Sequence, residues 1–373
     1  MKIVYLSRGN APWDRRLLEK MVERGHTPYF ISYFPCKRVK VNGVKNFHFD
    51  YTTMHYFPRF LSFQTALHLK KWLKHIQPDI LHTGWITDMG FIGALSGFKP
   101  ILSMPFGSDI LIRPYQSISS KWIARFTLRR ADMIYCDCEL VKNKVIELSR
   151  CTPKKIFVLP QSGTDLNIFR PLNTHSLIRE KLGWKNKEIL IMTRQFEHIY
   201  GIDYFIEALP AVIRQRPSVR VILVGAGPME NAYRNKITKL GLDNYIHFAG
   251  WVDDRAMAEY LNAANIYVTT SLSDGTSASM LEAMACGLPV VVSDAPVYFE
   301  WVEDGVNGFI VPRCDSVTLA KRLIQLIDNK HLQQSMGTRN LKIAQEKADW
   351  EKNFDVLENA YNILTSQSLY RYK

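Results

Sequence analysis

The sequence predicts an α/β protein made of two doubly wound parallel sheets. Three observations predict it. The chain has 373 residues, which at about 100–200 residues per domain suits two domains. Apolar strand-like runs alternate with amphipathic helical stretches from end to end, the pattern of parallel strands covered by helices on both faces. A turn-rich break around Leu159–Arg170, with Pro160 and Pro171 bracketing Gly163, divides that pattern into two sets.

In the first set, strands read at Lys2–Ser7, His26–Ser32, Ile80–His82, Ile101–Met104 and Met133–Asp137. Helices read at Asp14–Arg24, Leu61–Ile76, Asp88–Gly97, Lys121–Arg130 and Cys138–Leu148. In the second set, strands read at Glu188–Thr193, Val219–Gly225, Ile246–Ala249, Ile266–Thr270 and Val290–Ser293. Its helices read at Ile202–Arg216, Met229–Leu240, Ala256–Asn262, Ser279–Cys286 and Ser316–Asn329. The expected organisation is therefore a first Rossmann-like domain over residues 1–165, a second over 166–348, and a C-terminal helix in 349–373 that packs back on the first domain. Two such domains imply a cleft between them, because ligands of doubly wound sheets bind outside the carboxyl ends of the strands.

Composition bounds the function. With 47% hydrophobic and 22% charged residues and no low-complexity tract, the chain is neither disordered nor fibrous. It lacks the ~20 consecutive apolar residues that a bilayer span requires. The opening MKIVYLS reads as a strand that runs into polar Arg8, Gly9 and Asn10, not as a signal peptide, so the expected location is the cytoplasm. The six cysteines show no zinc spacing and read as free thiols. The net charge is +13, and residues 1–165 carry the whole excess, with 25 Lys and Arg against 12 Asp and Glu. That asymmetry implies an anionic partner for the first half. Leu61–Ile76 and Lys121–Arg130 are basic and amphipathic, as for helices lying on an anionic membrane surface, although a core-facing helix with a solvated outer face reads the same way. Nothing resembles a nucleic-acid motif.

The chemistry concentrates after the strand at Ile266. Gly275, Thr276, Ser277, Ala278 and Ser279 form a loop of small residues that opens a helix. Free backbone N–H groups at the positive end of a helix dipole make an anion site suited to a diphosphate. Asp274 stands before this loop and Glu282 one turn into the helix; each can accept hydroxyl donors from a sugar or ribose. An isolated pair would read more plainly as a capping Asp and a solvated Glu. Arg194 follows a strand directly and so points to the carboxyl end of the sheet, where a bidentate phosphate contact is reasonable. Gly225 and Gly227 form a glycine turn after a strand, too short of glycines to be a dinucleotide fingerprint. In the first half, Gly9 permits close backbone approach to a ligand. His82 ends a strand and reads either as an acceptor contact or as a structural hydrogen-bonding residue. Asp109 reads as a polar contact or as a helix cap.

The segment Leu281–Val291, LEAMACGLPVV, with VEDGVNGFIV at Val302–Val311, resembles the signature of glycosyltransferase family 4. These are retaining enzymes of the GT-B fold, in which two Rossmann-like domains face an interdomain cleft. The resemblance covers essentially the whole chain and is specific in its second half. It implies that Asp274, standing where the family has Glu, contacts the transferred sugar and that Glu282 contacts the nucleotide ribose. It also implies that Arg194 clamps the donor phosphates, and that Tyr200 stands where the usual partner Lys would be. Trp251 and Val252 fall near the base of the nucleotide, where Trp251 either stacks or packs as a core aromatic. Gly9 and Asn10 fall in the acceptor-side glycine loop, and Phe106 and Gly107 in a second acceptor-side loop where many members have His for Phe106.

The function implied is retaining transfer from a UDP- or GDP-sugar to a glycan or lipid-linked acceptor, in cell-surface polysaccharide or glycolipid synthesis, with no metal and no other cofactor. Asp274, Glu282, Arg194 and Asp109 are the expected catalytic residues. The rivals are a nucleotide-sugar epimerase of the same fold and a degenerate nucleotide-binding module.

Overall fold

The computed structural model describes residues 1–9, 12–33, 39–49, 59–160, 163–172 and 176–371. The chain divides into two compact units, Met1–Ser162 with Glu351–Lys373, and Gly163–Trp350.

The first unit carries strands β1 (Lys2–Leu6), β2 (Thr27–Ser32), β3 (Lys45–His48), β4 (Ile80–Gly84), β5 (Ile101–Met104), β6 (Met133–Cys136) and β7 (Ile156–Val158). They form one sheet of order β3-β2-β1-β4-β5-β6-β7 in which every pairing is parallel. Helices α1 (Pro12–Glu23), α2 (Arg59–Ile76), α3 (Met89–Ser96), α4 (Ser108–Leu111), α5 (Ile118–Arg130) and α6 (Glu139–Ser149) connect them. β1, β4 and β5 are buried nearly throughout, as sheets covered on both faces require.

The second unit holds β8 (Glu188–Thr193), β9 (Val219–Val224), β10 (Ile246–Gly250), β11 (Ile266–Thr269), β12 (Val290–Ser293) and β13 (Gly308–Val311), in the order β10-β9-β8-β11-β12-β13. Its helices are α7 (Leu177–Lys181), α8 (Ile202–Gln215), α9 (Glu230–Lys239), α10 (Asp254–Ala263), α11 (Ala278–Ala285), α12 (Ser316–Ile327) and α13 (Lys330–Lys347). All five strand pairings are parallel. The order reverses between β8 and β11, and the carboxyl ends of these two strands form the topological switch point where doubly wound sheets bind ligands.

The elements that hydrophobic spacing did not reveal have physical reasons. β3 is an exposed edge strand, and β7 has three residues. α13 buries Gln333, Gly337 and Asn340 beside Met336 and Ala344, so its inward stripe is largely polar or small. Asn340 donates to the carbonyls of Leu288 and Asn307, both at 2.8 Å, and accepts from Asn307 Nδ2. Gly337 lies so close to the turn after α11 that an added Cβ would stand 2.1 Å from the Gly287 carbonyl oxygen. α13 thereby fixes the end of the helix whose beginning bears the site.

The last helix, α14 (Trp350–Arg371), returns to the first unit from Glu351 onward. Phe354, Leu357, Tyr361 and Leu364 make its buried stripe, at the three- and four-residue spacing of one helix face. Asp355 pairs with Arg24 at 2.7 Å, and Glu358 with His26 at 2.8 Å. Glu351 bridges Lys20 and Arg24.

Replacing Gly337 by Ala should destabilise the protein by about 1–3 kcal/mol through overpacking. A lowered midpoint of thermal unfolding is the expected result, and an unchanged midpoint would show that α13 shifts at no cost.

Candidate functional site

Arg194 is the first residue after β8. Its own N–H completes the sheet by bonding the Val224 carbonyl at 3.1 Å, which fixes where the side chain starts. The guanidinium is almost fully buried, at 8% side-chain exposure. A buried cation needs partners, and they come from the loops after β11 and β12. Nη1 donates to Ser279 Oγ at 3.2 Å, and Nη2 to Ser271 Oγ at 2.9 Å and to the Tyr298 hydroxyl at 3.2 Å. Asp274 supplies the counter-charge as a direct ion pair. The Tyr200 ring lies under the guanidinium, 4.5 Å from its carbon to the ring centroid. Nε is buried with no partner. Burial works against the charge, but Tyr298, Tyr267 and Tyr200 around it hold the Arg194 pKa above its ordinary value.

Further hydroxyls hold these partners in place. Tyr298 donates to Asp274 at 3.0 Å and lies 3.3 Å from Thr269 Oγ1. Tyr267 donates to Ser279 Oγ at 3.1 Å, and Thr269 lies 3.2 Å from Ser271 Oγ. β11 contributes its buried Tyr267 and Thr269 to this network while its other residues enter the core.

Glycines let the loops meet. Gly201 has a positive φ of 59°, and an added Cβ would sit 2.3 Å from the Thr270 carbonyl oxygen. Gly225 has φ 143°, and a Cβ there would sit 2.0 Å from the carbonyl oxygen of Arg194 itself. Gly227 backs on Phe196 at 2.5 Å in the same sense. The glycine turn after β9 therefore abuts the backbone that presents the arginine. The Gly225 N–H also donates to Gly250, the residue before Trp251 and Val252. Trp251 is 62% exposed, so it is a surface aromatic beside the turn and not a core one.

At the opening of α11, Ser277 is the N-cap and its Oγ accepts from Met280 N at 3.3 Å. One of the N–H groups expected to be free is thus capped, leaving those of Ala278 and Ser279 before it. Asp274 does not cap the helix, and its carboxylate goes to Arg194 and Tyr298 instead. Gly275 and Thr276 are buried in the turn between them. Glu282 is buried at 5% exposure rather than solvated. The Cys286 thiol one turn on is pushed up to about 12, first by burial and then by the Glu282 charge.

In the first unit, Gly9 follows β1 with φ 80°, and Asn10 lies outside the described residues. Phe106 packs between Trp13 and Trp85, with centroids 5.2 and 4.9 Å away. Gly107 has φ 81° and begins α4. Two expectations are corrected here. His82 is fully buried within β4, where its Nδ1 bonds the Tyr361 hydroxyl of α14 at 2.7 Å. Burial lowers its pKa to about 3, which favours the neutral imidazole, and its Nε2 is buried without a hydrogen-bond partner, so the side chain is part of the packed interior. Asp109 is also fully buried. It neither caps α4 nor meets solvent, because its two oxygens accept from the backbone N–H of Ile86 and Phe106 at 2.7 and 2.8 Å. Burial raises its pKa to about 6. What Asp109 does is tie the loop after β5 to the loop after β4.

Sequence reasoning missed Tyr298, Tyr267, Thr269 and Ser271, since a tyrosine among apolar residues looks like core. It also missed Arg8, which pairs with Asp88 at 2.5 Å and stacks 3.9 Å over Trp85. Among the described residues, no group of three or more His, Cys, Asp or Glu is placed to hold a metal ion.

Comparison with known proteins fits this geometry. The model for glycosyl transferases group 1 matches residues 175–342, and that for glycosyltransferase family 4 matches residues 15–165. EpsD of Bacillus subtilis, named as a glycosyltransferase, is 26% identical over 233 residues, 60% of this chain and 60% of that protein. The chain thus spans about three-fifths of that relative's length. The Escherichia coli UDP-Gal:alpha-D-GlcNAc-diphosphoundecaprenol alpha-1,3-galactosyltransferase is 27% identical over 289 residues, 74% of each chain. The crystal structure of HepE from Anabaena in complex with UDP-glucose superposes with a TM-score of 0.82, covering 98% of this chain and 100% of that one at 21% identity.

Asp109→Ala would leave two buried backbone N–H groups without acceptors, at about 1–3 kcal/mol each. The expected outcome is a lowered unfolding midpoint with unchanged affinity for UDP and GDP. A loss of nucleotide affinity in a protein of unchanged stability would instead return Asp109 to the binding machinery.

Proposed function

Since the chain belongs to glycosyltransferase family 4 and has its fold of two Rossmann-like domains, we propose that it is a retaining transferase acting without a metal. Its donor is a UDP- or GDP-hexose or N-acetylhexosamine, and its acceptor is a glycan or a lipid-linked sugar of cell-surface polysaccharide or glycolipid synthesis. The observation that carries this reading is the buried Arg194 at the switch point of the second sheet, with an unpartnered Nε and with Asp274 and the opening of α11 beside it. UDP-glucose in the structural neighbour and a UDP-sugar and lipid-linked acceptor in the E. coli relative's name support the substrate classes.

In this mechanism the diphosphate displaces Asp274 from Arg194 and takes the guanidinium and the N–H groups of Ala278 and Ser279. Those groups, with the dipole of α11, stabilise the charge that develops as the glycosidic C–O bond breaks. Asp274, released, accepts a hydroxyl of the transferred sugar, and Glu282 takes the ribose. The acceptor hydroxyl attacks from the face the diphosphate leaves, and the departing phosphate oxygen receives its proton, so the anomeric configuration is kept. Gly225, Gly227, Thr276, Ser277, Tyr200, Trp251 and Val252 line the donor. Gly9, Asn10, Phe106 and Gly107 serve the acceptor.

The acceptor reading extends to a membrane surface. On α5, Ile118 and Trp122 are 92% and 57% exposed, one helical turn apart, with Lys121 beside them. On α2, Phe63 and Leu67 are exposed near Lys70, Lys71 and Lys74. Apolar anchors set among cations suit an anionic bilayer. No helix among the described residues is long and apolar enough to cross a membrane, so such binding is peripheral.

Arg194→Ala and Glu282→Ala should each lower transfer by about 10²-fold or more while leaving the fold intact, since each removes a charged contact to the donor. Full turnover in both variants would defeat the assignment, and a new sugar epimer formed from donor alone would replace transfer with epimerisation. The unfolding midpoint should rise with only one of UDP and GDP, by mass action. Sedimentation with vesicles should increase with their anionic lipid content and fall in Ile118→Ser/Trp122→Ser. Sedimentation independent of lipid charge would remove the membrane from the account.

A further inference from the structure

The chain departs from the family pattern at two donor-site positions, with Tyr200 in place of Lys and Asp274 in place of Glu. Both side chains converge on one group. Tyr200 stacks under the Arg194 guanidinium at 4.5 Å, and Asp274 pairs with its Nη2. A third residue, Tyr298, joins them. It is fully buried in the short turn Pro296–Glu300 after β12, a turn closed by the bond from Tyr298 N to the Ala295 carbonyl. Its hydroxyl accepts from Arg194 Nη2 at 3.2 Å and donates to Asp274 at 3.0 Å.

We propose that Tyr298 and Tyr200 are positioning residues that aim Arg194 at the donor diphosphate and let one cation do the work of a two-cation clamp. The inference rests on the proposed donor site and deepens it. The roles of the two tyrosines differ. Tyr298 has one O–H and spends it on the carboxylate, while its oxygen faces the guanidinium. It therefore polarises in the sense both charges favour and sets the spacing between them. When the diphosphate takes the guanidinium, this hydroxyl still holds Asp274, so the carboxylate keeps one fixed partner while a sugar hydroxyl replaces its ion pair. Tyr200 acts through its ring. The aromatic face fixes the guanidinium plane and leaves its edges to hydrogen-bond acceptors. A lysine in its place would offer a point charge and no such surface. Gly201, where φ is positive and an added Cβ would sit 2.3 Å from the Thr270 carbonyl oxygen, lets the Tyr200 loop pack against the residue that follows β11.

Affinity for UDP, GDP and inorganic pyrophosphate, measured by titration calorimetry on the full chain, tests the proposal. Tyr298→Phe keeps the shape and removes the hydroxyl, and should weaken binding about 10-fold while also lowering the unfolding midpoint, since two buried charged groups lose a hydrogen bond. Tyr200→Leu, which removes the ring, should bind about 5-fold more weakly than Tyr200→Phe, which keeps it. In an Asp274→Asn background, the effect of Tyr298→Phe should shrink, a coupling that a merely structural tyrosine would not show. Arg194→Ala separates this inference from the reading beneath it. If that variant keeps full affinity, the donor site itself is misassigned. If it loses affinity while Tyr298→Phe and Tyr200→Leu bind as the wild type, the site stands and the positioning role falls. Should Tyr298→Phe fail to fold, the contrast between Phe and Leu at position 200 decides.

Discussion

A single buried guanidinium organises the second unit. Taking a charge out of water costs several kcal/mol unless its partners are in place beforehand. Arg194 has them because three separate loops deliver them to one point: Tyr200 from the loop after β8, Ser271 and Asp274 from the loop after β11, and Tyr298 from the turn after β12. The reversal of strand order between β8 and β11 creates the opening, and the glycines at positions 201, 225 and 227 let backbones approach closely enough to close around it. The hydrogen-bonded contact of α13 with the turn after α11 then steadies the helix that begins at the same point. Removing any one of these leaves a charge without its setting, so conformation and chemistry are specified by the same residues.

Much of the architecture could be read from the chain because parallel strands buried on both faces are written as short apolar runs. Leu190, Ile191 and Met192 announce β8, and the polar residue that ends such a run must emerge at the carboxyl edge, which is how Arg194 drew attention. Asp274 and the small residues after it were legible through their place between a strand and a helix. Tyr298 was not. Nothing in PVYFE separates a tyrosine whose hydroxyl bridges two charges from one that fills the core, since the difference lies in what the next strand over presents. α13 hid for a related reason: its inward residues are Gln333, Gly337 and Asn340, whose fit to one turn is a matter of shape and hydrogen bonds, not of hydrophobic period. His82 and Asp109 show the opposite limit. A polar residue at a strand end suggests a ligand, yet both are fully buried and bonded to internal partners that cannot be seen in the sequence.

The two units divide their labours by charge. Residues 1–165 hold the entire positive excess, while the rest of the chain is balanced. Within the first unit much of that charge stays near solvent, on α2 and at the end of α5, where it interacts with whatever lies outside the protein. Arg194 in the balanced unit is of another kind, dry and individually partnered. A diffuse field at the surface acts over a distance and is screened by salt, while a single caged cation acts only on what touches it.

The return of α14 has a consequence for biosynthesis. The first unit is completed by a segment made late, since Phe354, Leu357 and Tyr361 are buried in it and Tyr361 bonds His82, made 279 residues earlier, at a typical rate of about 5–20 residues per second. Until then, Tyr5 and His82 lack the helix that buries them. The intervening unit, by contrast, is contiguous, and its ends meet where Thr164 N bonds the Ala348 carbonyl and Trp350 N bonds that of Thr164. The part that holds the arginine can therefore mature on the ribosome while its neighbour waits for α14.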